Sequence, residues 1–152
     1  MHLKSGAFAN GAAMPRRYTS EGEDVSPPFN WDDAPADTRS FVLLCDDPDV
    51  PVGIWHHWAA YDIPVERSGL PEGAARHAAR EGFKQALNDF GRPGYGGPCP
   101  PRSGGPHHYH FRLLALSTDQ LRVRKDPPCK DVEREARKHL LAETFFVGVY
   151  ER

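Results

Sequence analysis

Apolar residues concentrate in four segments of the chain, and each segment predicts a β-strand. Residues 40–45 form an uninterrupted apolar run after Ser40 and end at an acidic, proline-containing turn, which is typical of a buried strand. Residues 54–63 are bounded by a proline, and residues 107–116 mix polar and apolar positions before becoming wholly apolar. Residues 145–150 are the fourth segment. The pattern predicts a sheet built mainly from these strands.

One segment near the end of the sequence has a helical period instead. Val132, Ala136 and Leu140 recur every four residues with charged residues between them, and Asp131 is placed as an N-cap after two prolines. This spacing predicts an amphipathic helix. The alanines of residues 72–85 predict a second helix, although a glycine interrupts it and no continuous apolar stripe runs along it.

Composition narrows the fold class. The chain has 152 residues, which is the size of one domain, and 15 of them are prolines. An interior proline costs a helix about 3 kcal/mol, so this content argues against a helical bundle. Turn motifs fill the first 40 residues and limit strands there to short pieces. We predict a single, mostly β domain that spans residues 1–152.

Charge and hydropathy exclude several classes of partner. The formal net charge is −2, from 19 basic and 21 acidic residues, with no long run of either sign. This balance argues against a nucleic-acid partner and against a polybasic membrane anchor. The start of the sequence has no apolar signal segment, and the longest apolar run, residues 41–45, is too short to span a bilayer. Three cysteines at irregular spacing favour reduced thiols. We therefore expect a cytoplasmic protein without a transmembrane segment.

Three polar clusters could carry chemistry. The first is the acidic turn at residues 46–51, which by itself is better explained as a capped turn with solvated carboxylates. The second is Trp55-His56-His57-Trp58, where strand alternation predicts His57 on the face of Trp55 and His56 on the face of Trp58. A histidine beside aromatic residues is more often a packed core residue than a ligand.

The third cluster is the loop at residues 91–106, which holds six glycines and five prolines. Glycine lets backbone N–H groups approach a ligand closely, and proline holds the shape of the loop. Loops of this length in small domains are more often functional than merely structural. The loop leads into a predicted strand on which His107 and Tyr109 share a face.

The three clusters together predict one polar pocket. Two imidazoles and a tyrosine hydroxyl can donate hydrogen bonds to an anion, and an adjacent carboxylate would orient an imidazole and favour its charged form. Phosphate fits that chemistry. Two alternatives stay open: two histidines and one carboxylate are also a set of metal ligands, and Cys99 is a candidate nucleophile or redox thiol.

The ordered set of motifs resembles the phosphatidylethanolamine-binding protein family, also called the Raf kinase inhibitor-like proteins, and is most similar to its short bacterial and archaeal members. The motifs that carry the resemblance are residues 15–19, 26–31, 47–51, 55–58, 88–90, 94–101, 107–111 and 147–152. One departure is His108, where many relatives have arginine. Strand alternation points this side chain away from the pocket.

The resemblance implies a β-sandwich-like fold with a large central sheet, a smaller sheet on one side and a C-terminal helix on the other. It also implies an anion-binding pocket. The residues at the family's pocket positions are Asp47, His57, His107 and Tyr109, with Asp49, Pro51 and Pro101 shaping the walls.

The leading functional hypothesis is a small binding protein without catalytic residues or a cofactor. Its ligand would be phosphate, a phosphorylated small molecule, a phospholipid head group or a phosphorylated side chain. Affinity is expected to fall between about pH 6 and 8 as the histidines lose their charge. The alternative is an interaction protein of the kinase- or protease-inhibitor type that uses the same pocket, and a metal- or cysteine-dependent hydrolase is the third hypothesis. The resemblance also implies a possible homodimer.

Overall fold

Two antiparallel sheets form the framework of the protein. The computed structural model describes residues 1–152. The central sheet has the strand order β6-β4-β3-β7-β8 and the smaller sheet has the order β1-β2-β5. The central strands are β3 (Ser40–Asp47), β4 (Trp55–Pro64), β6 (Lys84–Gln85), β7 (His107–Leu116) and β8 (Leu140–Tyr150). The strands of the smaller sheet are β1 (His2–Lys4), β2 (Phe29–Asp32) and β5 (Gly69–Leu70).

Two helices complete the fold. Helix α1 (Ala78–Glu81) is short, and helix α2 (Cys129–Arg137) contacts the central sheet with its buried residues Val132 and Ala136. Neither helix is long and apolar enough to cross a bilayer. The predicted architecture is confirmed: the protein is mostly β, with the smaller sheet on one side of the central sheet and the C-terminal helix on the other.

Two predicted helix boundaries are wrong. Helix α2 begins at Cys129, two residues before the expected N-cap Asp131, and it ends before Leu140 because that residue pairs with Leu116 and starts β8. Residues 72–85 do not form one helix either. Gly82 has a φ of +86° and ends α1 after four residues, since a left-handed conformation at this position stops a helix.

The apolar runs of the central strands are explained by burial on both faces. Phe41, Leu43 and Cys45 belong to the larger core between the two sheets. Val42 and Leu44 belong to the second core, under α2. Alternate side chains of a strand point to opposite faces, so a strand covered on both sides has no position for a polar residue until it reaches its end. In β3 that end is Asp46-Asp47, where the site begins.

Candidate functional site

A cavity of about 230 Å³ lies at one end of the central sheet, where β3 ends and β4 and β7 begin. Because these neighbouring strands are antiparallel, the end of β3 lies beside the starts of the other two. The cavity is lined by Asp47, Val50, Trp55, His57, Phe90, Cys99, Pro100, Pro101, His107 and Tyr109. A larger groove of about 770 Å³ lies at the opposite end of β3 and β4, but it contains none of the predicted site residues.

Asp47 and His107 form a buried pair in the cavity wall. The Nδ1 atom of His107 lies 2.6 Å from Oδ2 of Asp47, and both residues are almost fully buried. The other carboxylate oxygen of Asp47 accepts a hydrogen bond of 2.8 Å from the backbone N–H of Asp49. Both carboxylate oxygens are therefore engaged, and the Nε2 edge of His107 is left available to a ligand.

His57 faces the cavity because of a β-bulge in β4. Cys45 pairs with Trp58 and Asp46 pairs with His56, so His57 has no partner of its own on β3. A bulge of this kind redirects a side chain. His57 lines the cavity on the same side as Trp55, as predicted, whereas the prediction that His56 shares a face with Trp58 is wrong. Trp58 packs into the core between the sheets, and His56 contacts Asp46 on the side of α2.

The glycine-rich loop fixes the orientation of the His57 ring. The Nδ1 atom of His57 lies 2.5 Å from the carbonyl oxygen of Gly96, and the N–H of Gly96 donates to the carbonyl oxygen of His57 at 3.0 Å. A Cβ atom added to Gly96 would lie 2.5 Å from Cδ2 of Phe90. The Phe90 ring can lie against this part of the loop because residue 96 has no side chain.

Burial sets the protonation of two cavity residues. Desolvation lowers the pKa of His57, although the Gly96 carbonyl and the Asp47 carboxylate oppose the shift. Desolvation also raises the pKa of Tyr109, so its hydroxyl stays protonated and can donate. The Tyr109 ring stacks on His107 at 6.5 Å between centroids and meets His57 edge-on at 5.2 Å. The three polar groups thus form one packed cluster.

Apolar groups form the mouth of the cavity. The rings of Trp55 and Phe90 meet edge-on with their centroids 5.5 Å apart, and both side chains are partly exposed. Beside them, the loop before β4 exposes 89% of Val52 and 52% of Ile54. The site therefore combines a polar floor with an apolar, proline-rich rim.

Five of the seven predicted site residues line the cavity, and Asp49 and Pro51 do not. The Oδ2 atom of Asp49 accepts hydrogen bonds from the backbone N–H and the Nδ1 atom of His108, at 2.7 and 2.8 Å. Asp49 therefore fastens the acidic turn to the start of β7. Pro51 is exposed on the same turn, and His108 is exposed and points away from the cavity, as predicted.

The sequence interpretation missed several apolar residues as lining groups, namely Val50, Trp55, Phe90 and Pro100. Strand alternation could have identified Trp55, because it predicts this residue on the same face as His57. Phe90 has no such signal, because it reaches the cavity through contacts with Trp55 and His57 rather than through a strand period. Cys99 lines the cavity and is exposed, and it makes no hydrogen bond with either histidine.

Asp47, His57 and His107 do not bring three ligand atoms together as a metal centre of these residues would need. Both oxygens of Asp47 are already hydrogen-bonded within the protein. The Nδ1 atoms of the two histidines are also engaged, so only their Nε2 atoms face the cavity unpartnered. The three side chains that do bring ligand atoms together are His2, Asp32 and Asp33, which lie exposed, away from the cavity.

Known proteins are similar to this chain over its whole length or nearly so. The sequence model of the phosphatidylethanolamine-binding protein family matches residues 4–151. A UPF0098 protein of Aquifex aeolicus is 45% identical over 152 residues, which cover 100% of this chain and 89% of the relative. A UPF0098 protein of Methanothermobacter thermautotrophicus is 42% identical over 154 residues, covering 100% of this chain and 99% of the relative.

Solved structures show the same fold. Escherichia coli YbcL, described as a new member of the mammalian PEBP family, superposes with a TM-score of 0.93 at 31% identity, covering 99% of this chain and 98% of the other. The PEBP homologue CT736 of Chlamydia trachomatis superposes with a TM-score of 0.87 at 34% identity, covering 99% and 96%. With its sequence motifs, its two-sheet architecture and these relatives, the chain belongs to the phosphatidylethanolamine-binding protein family.

Proposed function

We propose that this protein is a small binding protein whose cavity recognises a phosphate group, either free or carried by a small molecule or a phospholipid head group. The observation that carries the proposal is the buried Asp47–His107 pair, held at 2.6 Å with the Nε2 edge of His107 free of protein partners. A carboxylate on Nδ1 orients the ring, and the protonated ring donates a charge-assisted hydrogen bond from Nε2 to the anion.

The size of the cavity supports a small anionic group. Pockets that enclose a whole drug-sized molecule have volumes of about 300–1,000 Å³, and this cavity has about 230 Å³. A phosphate group fits inside, while any attached organic part would lie against the rim formed by Trp55, Phe90 and the prolines. The protein would therefore bind one end of a larger ligand.

The chemistry of the cavity supports recognition rather than catalysis. The carboxylate of Asp47 is held by two hydrogen bonds, and the Cys99 thiol has no histidine base within hydrogen-bond distance. We therefore propose no catalytic residue and no cofactor. The other thiols, Cys45 and Cys129, are buried, which raises their pKa and makes them unreactive. Free thiols also fit a cytoplasmic location.

Titration calorimetry with inorganic phosphate and O-phosphoethanolamine tests the proposal. In His107→Asn the amide can still donate to Asp47, but the Nε2 donor is lost, so affinity should fall at least about tenfold. The matched control is His110→Asn on the opposite face of β7, which should leave affinity unchanged. Absence of saturable binding by extensively dialysed wild-type protein would contradict the proposed function.

A second candidate is an interaction protein that docks a partner at the same mouth. The specific observation is the exposed apolar surface of Val52 and Ile54 beside the cavity, since exposed apolar patches next to polar groups are typical of interaction sites. A partner that is captured by the wild type and lost in both Val52→Ser and His107→Asn would support this candidate. Capture that is unaffected by both changes would contradict it.

A further inference from the structure

The hydrogen bond from His57 to Gly96 determines which nitrogen of this ring carries the proton. A carbonyl oxygen can only accept, so the Nδ1 atom of His57, 2.5 Å away, must be the donor. In the neutral imidazole the other nitrogen, Nε2, then holds a lone pair. It makes no hydrogen bond within the protein, and the ring lines the cavity. The neutral His57 ring thus presents an acceptor to a ligand.

Burial keeps His57 in this neutral form. The residue is only 3% exposed, and desolvation lowers its pKa. A fully deprotonated oxyanion has only lone pairs to offer, so one of its oxygens would meet the lone pair of Nε2. Such a contact leaves both groups without a donor, which is costly in a buried site.

The carboxylates around His57 partly offset the lowering of its pKa, but they also disfavour a bare anion in the cavity. The buried carboxylate of Asp47 lines the same cavity and is offset by His107 alone, so it disfavours a second bare anion. The groups that face or influence His57 are Asp47, Asp46, Asp24, His107, Tyr109 and Cys99. The donor among the lining groups is the Tyr109 hydroxyl, and His107 adds a second donor at Nε2 when its ring carries both protons. Together with His57 they form a site with donors on one side and an acceptor on the other.

We propose that the cavity selects an oxyanion that still carries a proton, namely hydrogen phosphate or a phosphate monoester in its protonated form. The P–OH group donates to Nε2 of His57, and the other oxygens accept from His107 and Tyr109. This inference rests on the proposed function and names its ligand class. Sulfate has the same shape without a proton, and the phosphodiester of an intact phospholipid also lacks the acidic hydroxyl.

Competition between phosphate and sulfate tests the inference on the wild-type protein. At about pH 8 the two anions carry nearly the same charge and differ by one proton, so charge and shape are matched. Phosphate should bind at least about tenfold more tightly than sulfate, because a site built for a donor rejects an analogue that lacks it. Equal affinities would overturn the inference and leave phosphate recognition standing. Binding of neither anion would refute both.

A second pair of ligands distinguishes a phosphate monoester from the phosphodiester of an intact lipid head group. At about pH 6, methyl phosphate still carries an acidic proton in part, whereas dimethyl phosphate carries none. Methyl phosphate should bind with an affinity near that of inorganic phosphate. Dimethyl phosphate and glycerophosphoethanolamine should bind at least about tenfold more weakly. Equal or tighter binding of the two diesters would overturn the inference and favour an intact lipid head group.

Substitution of His57 provides the residue-level test. The carboxamide in His57→Gln can turn either its N–H or its oxygen to the ligand, so the preference for phosphate over sulfate should shrink to within about threefold. His110→Gln, on the other face of β7, should keep the wild-type preference. If the variant does not fold, the wild type gives the same information. Its affinity for sulfate should go on rising as pH falls below the ordinary histidine value of about 6.5, because the pKa of His57 is lowered and its ring becomes a donor only there. A flat sulfate affinity over that range would overturn the assignment of His57.

Discussion

Asp46 and Asp47 are consecutive residues of β3 whose carboxylates bind histidines on opposite faces of the central sheet. Asp47 lies 2.6 Å from Nδ1 of His107 in the cavity, and Asp46 lies 2.7 Å from Nδ1 of His56 on the side of α2. Strand alternation separates the two carboxylates. The acidic end of β3 thus contributes one carboxylate to the cavity and the other to an ionic cluster on the side of α2.

The ionic cluster should contribute strongly to stability. Arg112 is the cation of the cluster and binds Asp46 and Glu133, and its side chain is only 16% exposed. In Arg112→Met the buried Asp46 keeps only His56 as a partner and Glu133 keeps only Arg137, and the loss of one member of a buried pair costs about 3–5 kcal/mol when the other is left without a partner. We therefore expect the free energy of unfolding in urea to fall by about 2–3 kcal/mol.

The matched control for this change is Arg134→Met, which removes the exposed ion pair with Asp131. Exposed pairs of this type contribute about 0.3–0.5 kcal/mol, so the unfolding curve should barely move. Phosphate affinity of folded Arg112→Met should stay near that of the wild type, since Arg112 does not line the cavity. A loss below about 1 kcal/mol in Arg112→Met would show that Asp46 and Glu133 find water instead.

The pKa values of the neighbouring residues His56 and His57 should lie on opposite sides of the usual histidine value. The hydrogen bond with Asp46 raises the pKa of His56, whereas burial lowers the pKa of His57. NMR titration of the imidazole signals, assigned with His56→Gln and His57→Gln, should give one midpoint above about 6.5 and one below it. The same order of midpoints in the presence of high salt would confirm that the contacts are local. A reversed order would contradict the described contacts of both rings.

The free energy of unfolding should depend on pH through the protonation of His56. The pKa of His56 is raised in the folded state, so its contribution is fully present below the unfolded pKa of about 6.5 and is lost as pH rises through the folded value. The difference in unfolding free energy between wild type and His56→Gln should therefore shrink as pH rises above about 6.5 and through the raised folded pKa of His56. The depressed pKa of His57 gives the opposite sign: its contribution is present above about 6.5 and is lost as pH falls.

The sequence predicts the central sheet well because that sheet is covered on both faces. β7 (His107–Leu116) has the predicted bounds, and β3 extends the predicted segment by two residues, Asp46 and Asp47. In contrast, the faces of His56 and Trp58 depend on a bulge in the pairing with β3. A bulge is set by how two strands meet, and no local pattern in either strand records it.

Some site residues can likewise be identified from strand alternation, whereas the contacts of others depend on the folded structure. His107 and Tyr109 are found from strand alternation, since they are two residues apart on one strand. The partner of His57 is Gly96, 39 residues further along the chain, and only the folded loop brings them together. Asp49 is expected at the cavity wall, but its carboxylate accepts from the backbone N–H at the start of β7 and does not line the cavity. That competition between side-chain and backbone partners is invisible in the sequence.

Gly96 should be intolerant of a side chain because it contacts both His57 and Phe90. In Gly96→Ala the Cβ atom would press on the Phe90 ring at 2.5 Å, and the loop would move away from His57. We expect a loss of about 1–3 kcal/mol in unfolding free energy and a clear loss of phosphate affinity. Gly6→Ala is the control, since its Cβ would meet nothing within 4 Å. Full phosphate affinity in Gly96→Ala would contradict a role for the loop in positioning His57.

Cys99 should be the one cysteine that reacts in the folded protein. It is exposed at the cavity, whereas Cys45 and Cys129 are buried in the two cores. Iodoacetamide followed by mass spectrometry should modify one thiol in native protein and three in urea. Because Cys99 lines the cavity, saturating phosphate should slow its alkylation several-fold, and His107→Asn should abolish that protection. Protection that persists in His107→Asn would mean that phosphate binds at another surface, and modification of Cys45 in native protein would contradict the packing of β3 between the two layers.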